Sequence, residues 1–322
     1  MSKILKTIHI ITIILISLPL LKGQEIKRLG YNHAILNARA EGKVPHQKST
    51  ITPIQYTDSF FEDFSDYRGS VFPKNNHFTD PYAYINSTWA DSMISLGVAT
   101  LDAYDQNGYP WYSLDSGLVH SDTLSSQPFD FVGTPPDTLF FSFFYQAGGK
   151  GDLPEGIISE IPGENGEDAL MVDFYNPSTE KWTQVFYTID NTKPHQFNKV
   201  EIPLADSLRQ DGFRFRFRNY TSLQSDVGNG DPGMLENDDM WHIDYIRLMS
   251  EPSDADTHQL GDLTITRPLL PSLKEYTSVP WTHFSLAQST IERRTVPLTV
   301  QDWGANNGNS LSFNVFIRPK IW

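Results

Sequence analysis

The chain has no cysteine among its 322 residues. That excludes a disulfide framework and a lipid-modified N-terminal cysteine. A chain without such staples depends on its core, and its length allows one, since a domain of ~150–200 residues buries most of the surface its unfolded chain exposes. Basic residues are also few. Lys and Arg number 25 against 39 Asp and Glu, for a formal net charge of −14. Binding to phosphate backbones needs Lys and Arg clustered on one face, so nucleic acid is not an expected partner. Helical periodicity is scarce, and no apolar run of membrane length follows Leu21, so no transmembrane segment is expected after the leader. The commonest hydrolase and nucleotide signatures (Gly-x-Ser-x-Gly, His-Glu-x-x-His and a Walker loop) do not occur either.

What is present begins with a leader. MSKILKTIHIITIILISLPLLKGQ carries Lys3 and Lys6, then an apolar run from Ile10 to Leu21 that is interrupted by Pro19. The run is too short to span a bilayer comfortably and reads as a secretory signal peptide over 1–23, with cleavage near Gly23 or Gln24. The expected product is secreted or displayed on the outer cell surface. Residues 24–57 have little core character and read as an N-terminal extension.

From 58 to 250, strand signals recur at short spacing with Gly, Pro, Asn and Asp between them, which predicts an all-β, two-sheet sandwich. Phe213-Arg-Phe-Arg-Phe-Arg218 alternates cleanly, so its three Phe face a core and Arg214, Arg216 and Arg218 face water. Leu139-Phe-Phe-Ser-Phe-Phe-Tyr145 is apolar on both faces, as expected of a strand covered on each side. Further strands are expected over 58–64, 97–103, 169–175, 182–189, 200–204 and 240–249, with Pro203 restricting its segment to an edge or a strand end. Asp105-Gln-Asn-Gly108 predicts a tight turn. Two long acidic connections, 147–168 and 221–239, are candidate binding loops. Residues 251–263 read as a linker, and 264–322 as a partial immunoglobulin-like β domain with strands over 295–301 and 310–317.

In Trp241-His-Ile-Asp-Tyr-Ile-Arg-Leu248, alternation puts Trp241, Ile243, Tyr245 and Arg247 on one face and His242, Asp244, Ile246 and Leu248 on the other. Asp244 is then the odd residue, because a carboxylate near an apolar face needs donors or a cation. His242 reads as a packed strand residue, with no second His or Cys at zinc-ligand spacing.

The pair formed by Phe60-Phe-Glu-Asp-Phe64 and Trp241–Leu248 resembles the MAM-type and related concanavalin-like jelly rolls. In those folds the first and last strands lie side by side, and an early acidic residue with a late Asp helps hold a structural Ca2+. Gly97-Val-Ala-Thr-Leu-Asp102, Ser142-Phe-Phe-Tyr-Gln146 and Trp182 resemble segments of large surface proteins of gliding bacteria that use type IX secretion. The resemblance implies a jelly roll over 58–250 and calcium ligands at Glu62 and Asp244, with Asp63, Asp238 and Asp239 in reserve. Hard carboxylate oxygens suit Ca2+, which takes six to eight of them. The other reading of Asp244 is an acceptor of backbone or Arg hydrogen bonds with no ion.

The function expected is a non-catalytic, lectin-like binding or adhesion module whose partner is a glycan or a surface protein. Tyr109, Trp111 and Tyr112 are candidates for stacking on sugar rings. The Arg214/Arg216/Arg218 stripe suits acidic glycans, or else pairs with Asp or Glu across the sheet. Two alternatives stand. One is a carbohydrate-active hydrolase using two facing carboxylates from Glu155, Glu160, Glu164, Glu167 and Asp168, and the other is a spacer without a ligand.

Overall fold

The computed structural model describes residues 31–43, 51–67, 69–111, 119–151, 153–154, 168–189, 192–193, 195–221, 239–250, 263–267, 280–286 and 298–302. The elements run α1 (His33–Ala40), β1 (Ile54–Tyr56), β2 (Ser59–Glu62), β3 (Tyr84–Asn86), β4 (Val98–Leu101), β5 (Val119–Ser125), β6 (Phe129–Phe131) and β7 (Phe140–Ala147). They continue with β8 (Leu170–Asn176), β9 (Lys181–Thr188), β10 (Asn198–Pro203), a 3-10 turn at Asp206–Leu208, β11 (Arg214–Thr221), β12 (Trp241–Met249), β13 (Leu263–Ile265), α2 (Trp281–Leu286) and β14 (Val300–Asp302).

Two antiparallel sheets form the sandwich. The first has six strands in the order β10-β7-β12-β4-β3, with β2 also paired to β12. The second has four, in the order β5-β11-β8-β9. Phenylalanine fills the space between them. Phe141 on β7 meets Phe215 on β11 at 4.7 Å between ring centroids, and Phe143 meets Phe217 at 4.9 Å. The alternation of β11 is the reason: Phe215 and Phe217 are fully buried, whereas the arginines between them are not. On β7 the opposite face is covered too, because Phe144 packs with Ile94 and Tyr245 in a second cluster. β10 sits at an edge with Pro203 at the end of its pairing to β7, where a missing N–H does no harm.

β2 pairs with β12 through Glu62↔Ile246 and Phe60↔Leu248, so the opening and closing strands are neighbours. β12 spends its first half beside β4 (His242↔Thr100) and its second half beside β2. Where its neighbour changes, the register against β7 slips between Asp244 and Arg247, and Tyr245 takes a φ of 55°. This bulge corrects the expected face assignment. Trp241, Ile243, Ile246 and Leu248 all point into the main core, and Tyr245 lies on the opposite side with Ile94 and Phe144. One inserted residue reverses the parity of every side chain after it.

The stretch expected to be a bare extension contributes to packing. Asn32 Oδ1 caps α1 by accepting from the backbone N–H of Ala34 (3.1 Å) and Ile35 (3.2 Å). Ile35 and Ala38 pack against Phe72 and Tyr84, and Tyr56 of β1 belongs to the main core. β3, β5 and β6 also lie outside the expected strands. Their sequences, YIN, VHSDTLS and FDF, are too short or too polar to show a period of two clearly. The expected turn is present at Asp105–Gly108, with Gly108 N–H donating to Asp105 O (2.8 Å) and Gly108 at φ 82°. Behind the sandwich, β13 pairs with β14, and Thr264 Oγ1 donates to Ile94 O at 2.6 Å. The signal peptide, most of the linker and the strand expected over 310–317 lie outside the described residues.

Candidate functional site

Three polar constellations are built on the sandwich. The first lies where β2 ends, β4 begins and β12 bulges. Asp244 is fully buried there, and its carboxylate accepts from Tyr245 N–H (2.7 Å) and Ser95 N–H (3.2 Å). Ser95 Oγ lies 2.7 Å from Asp63 O, 2.9 Å from Gly97 O, and 3.0 and 3.2 Å from the two Asp244 oxygens. A hydroxyl has one hydrogen, so it cannot satisfy four acceptors. Burial, then the charge of Asp63, push the Asp244 pKa well above the usual carboxylate value. The junction is therefore rich in acceptor oxygens, and Asp244 keeps a proton more readily than an ordinary carboxyl does.

Among the described residues, the expected ligands Glu62 and Asp244 and the reserve acids do not assemble as a set. Glu62 faces His77, with Nδ1 to Oε2 at 2.6 Å, and its other oxygen accepts from Phe64 N–H at 2.8 Å. Glu62 is the last residue of β2, and Asp63 lies just beyond the strand. Asp63 is capped by Ser65 through N–H (3.0 Å) and Oγ (2.8 Å). Asp239 accepts from Thr221 Oγ1 at 2.9 Å at the other end of β12, and Asp238 lies outside the described residues. Among the described residues no three His, Asp or Glu side chains converge as a metal site. The oxygens that do converge, apart from Asp244, are backbone carbonyls and a hydroxyl, which a search of the sequence for acids does not reveal. His242 is a packed neutral residue, held by Thr100 Oγ1 at Nδ1 (2.9 Å) and Gly148 O at Nε2 (3.0 Å), and burial lowers its pKa to about 4.

The second constellation covers the outer face of the four-stranded sheet. Asp173 on β8 is opposite Arg216 on β11 and Gln184 on β9. Its Oδ2 accepts from Arg216 Nη2 (2.6 Å) and Arg218 Nε (2.7 Å), and its Oδ1 from Arg218 Nη2 (3.2 Å). The same Arg218 Nη2 reaches Gln184 Oε1 at 3.1 Å. Burial acts to raise the Asp173 pKa, but the hydrogen bonds and charges of Arg218 and Arg216 outweigh it and hold the carboxyl below its ordinary range. The indole of Trp182 on β9 lies 4.4 Å from the Arg216 guanidinium and 5.4 Å from that of Arg214, with Tyr175 at 5.3 Å. At the far side Tyr220 OH meets His120 Nε2 at 2.7 Å. Burial and the nearby Arg218 and Arg216 charges lower the His120 pKa. The face thus carries fixed aromatic rings and fixed hydrogen-bonding groups side by side.

Cross-strand pairing of the arginines was one of the two readings of the stripe, and Asp173 supplies it. Nothing local in the sequence marks Trp182, Gln184 and Asp173 as site residues. The alternation of 182–189 and 169–175 hints at a polar face, but only the register brings those positions opposite the arginines. Tyr109 is exposed, with its ring edge-on to Tyr31 at 5.2 Å. Trp111 is half-buried, and its Nε1 donates to Asp122 Oδ1 at 2.9 Å, which commits the indole to the interior. Tyr112 and the loop acids Glu155, Glu160, Glu164 and Glu167 lie outside the described residues, and Asp168 is buried, with its carbonyl accepting from Trp241 Nε1 at 3.1 Å.

The third constellation is a buried carboxyl pair that the sequence does not announce. Asp102 N–H donates to Asp122 Oδ2 (2.9 Å), and Asp102 Oδ1 accepts from Tyr104 N–H (2.8 Å). Burial raises the pKa of both carboxyls, and the charge of Asp102 raises that of Asp122 further. A cleft of about 520 Å³ lies beside the first constellation, lined by Phe64, Tyr67, Val71, Tyr84, Asn86 and Gly97 among others, and its described lining carries no charged side chain.

No family model and no curated protein matches the chain. Among solved structures, it is similar to a Stig cyclase, Fisc, from Fischerella sp. TAU, at 15% identity over 70% of this chain and 98% of that one, with a TM-score of 0.28. It is similar also to the N-terminal CBM22-1-CBM22-2 tandem domain of Paenibacillus barcinonensis Xyn10C, at 10% identity over 60% of this chain and 49% of that one (TM-score 0.26). A third is a mutant Xylanase10C from Cellvibrio japonicus in complex with xylopentaose, at 10% identity over 57% and 31% (TM-score 0.23). Likenesses this distant bear on neither the site nor the activity of this chain.

Proposed function

We propose that the chain is a secreted or surface-displayed, non-catalytic binding module that holds a glycan on the outer face of its four-stranded sheet. The observation that carries this is the row formed by Trp182, Arg216, Asp173, Arg218 and Gln184, in which an aromatic ring and several polar groups are locked in place by one another. Sugar rings present apolar C–H faces edged by hydroxyls, and a rigid aromatic beside pre-positioned donors and acceptors matches both. Binding is favoured over hydrolysis by the state of Asp173. A general acid must hold its proton near working pH, and this carboxyl is kept ionised by two guanidiniums.

Trp182→Ala is expected to weaken glycan binding by roughly thirtyfold, the usual consequence of losing a central aromatic anchor, with the fold intact because the residue lies outside the core. Affinity electrophoresis or calorimetry against a polysaccharide panel measures it, together with a reducing-sugar assay on the same samples. Sustained product release would replace this reading with the hydrolase alternative.

The strand junction fits a structural Ca2+ as part of the same proposal. Asp244, the carbonyls of Asp63 and Gly97, and Ser95 Oγ would supply hard oxygens, and a cation there would relieve the repulsion that Asp63 exerts on Asp244. Such an ion would add rigidity, not chemistry. Calcium at 100 times its Kd should stabilise the protein by about 2.7 kcal/mol, a rise of several degrees in Tm. Asp244→Asn should abolish the rise. Equal melting of the wild type in calcium and in chelator would remove the ion from the proposal.

A further inference from the structure

We infer that the glycan held on the outer face is anionic, its carboxylate or sulfate groups engaging the Arg214/Arg216/Arg218 row. This deepens the glycan-binding reading and rests on it. The three guanidiniums project from one face of one strand at alternate positions, about 7 Å apart along β11. Two carboxyls oppose them. Asp173 takes Nε and Nη2 of both Arg216 and Arg218. Asp80 is half-buried and is engaged by Thr123 Oγ1 and Ser125 N–H, each at 2.7 Å. Arg214 donates through Nε to Ser126 O and through Nη2 to Thr79 Oγ1, both at 3.0 Å.

The outcome is the same at all three positions. Nε and Nη2 are spent on the protein, and Nη1 has no partner among the described residues. The side chains are therefore already oriented, and each keeps one NH2 group to offer. A neutral sugar would leave a net positive row without a counter-charge, whereas a carboxylate or sulfate accepts charge-assisted hydrogen bonds from it. The chain as a whole is negative, at −14, so general electrostatic attraction does not bring an anionic polymer to it. Recognition has to come from this row, at contact distance.

The test compares four polymers on the folded chain: polygalacturonate and its carboxyl-reduced form, and a sulfated galactan and its desulfated form. At least one anionic polymer should bind ten times or more tightly than its neutralised partner. Arg214→Gln leaves both Arg partners of Asp173 in place and should cost that polymer roughly tenfold in affinity, with a cooperative thermal transition retained and lowered by the loss of the bonds to Ser126 and Thr79. Arg214→Lys should recover part of the loss, since the charge remains and the planar fork does not. Equal or better binding of the neutral forms, lost in Trp182→Ala, would overturn the anionic class and leave the glycan reading standing. Binding of none of the four, nor of any polysaccharide in the wider panel, would overturn both. Anionic binding that survives Arg214→Gln and Trp182→Ala undiminished would place the site elsewhere and overturn the assignment.

Discussion

Gly97→Ala is expected to destabilise the protein by 3 kcal/mol or more, roughly a 6–12 °C fall in Tm for a domain of this size. A Cβ at Gly97 would stand 2.0 Å from Phe64 O and 2.6 Å from Phe64 C. The obstacle is backbone and cannot rotate away. Nor can it retreat easily, because Phe64 already holds φ at 55° and its ring is buried in the core. On the other side, Gly97 leads directly into β4, whose four residues are all buried. Relief of the clash must therefore part β4 from the end of β2, which also dismantles the Ser95–Asp244 contacts. Gly69→Ala separates this effect from simple loss of a glycine. Gly69 has a φ of 81° but nothing within 4 Å of the added methyl, so it should cost only about 1 kcal/mol. Similar urea midpoints for the two variants would show that the close approach at Gly97 is not a real constraint.

Asp102→Asn is expected to make the protein more stable than wild type above pH 7 and to flatten its dependence on pH. Burial raises the Asp102 pKa to about 7, with the neighbouring Asp105 charge adding to it, and Asp122 is raised as well by burial and by Asp102. In the unfolded chain both titrate near their ordinary values, so between about pH 4 and 7 the native state binds more protons than the unfolded state. Stability from Asp102 is therefore fully present below pH 4 and is lost as pH rises to about 7, and that from Asp122 falls in the same direction, by up to ~1.4 kcal/mol per pH unit for each proton retained. The amide substitution removes one of two buried carboxyls that must otherwise keep a proton or carry a buried charge. It keeps an oxygen for Tyr104 N–H and gives up only the long 3.5 Å contact from Asn32. Asp244, also raised, contributes a fall of the same sign in both proteins, so the difference between the two curves isolates the pair. Parallel curves from pH 4 to 8 would show that the native pair retains no extra proton.

The elements that were legible in advance are those whose pattern is local. The phenylalanines of β11, the doubly apolar β7 and the edge position enforced by Pro203 follow from residues two apart or from a missing N–H. The pairing of β2 with β12 rested on a resemblance and is present in the register. The candidate site was legible only as loose parts. The arginine stripe was visible, whereas Asp173, Gln184 and Trp182 gained meaning only when β8 and β9 lined up beside it. Conversely, Glu62 and Asp239 were grouped with Asp244 by residue type, yet each has a partner of its own.

By itself the sequence determined a cysteine-free, acidic, all-β chain with alternating strands and a phenylalanine core, because hydrophobic burial acts on a period of two that each strand carries within it. Tertiary structure alone decided which polar groups meet. The bulge at Asp244–Tyr245 arises because β12 changes neighbours from β4 to β2 midway, and it reverses the side chains beyond it. The Asp102–Asp122 pair likewise joins the residue just after β4 to one on β5. Such contacts are fixed by register between distant segments, and no local alternation encodes them.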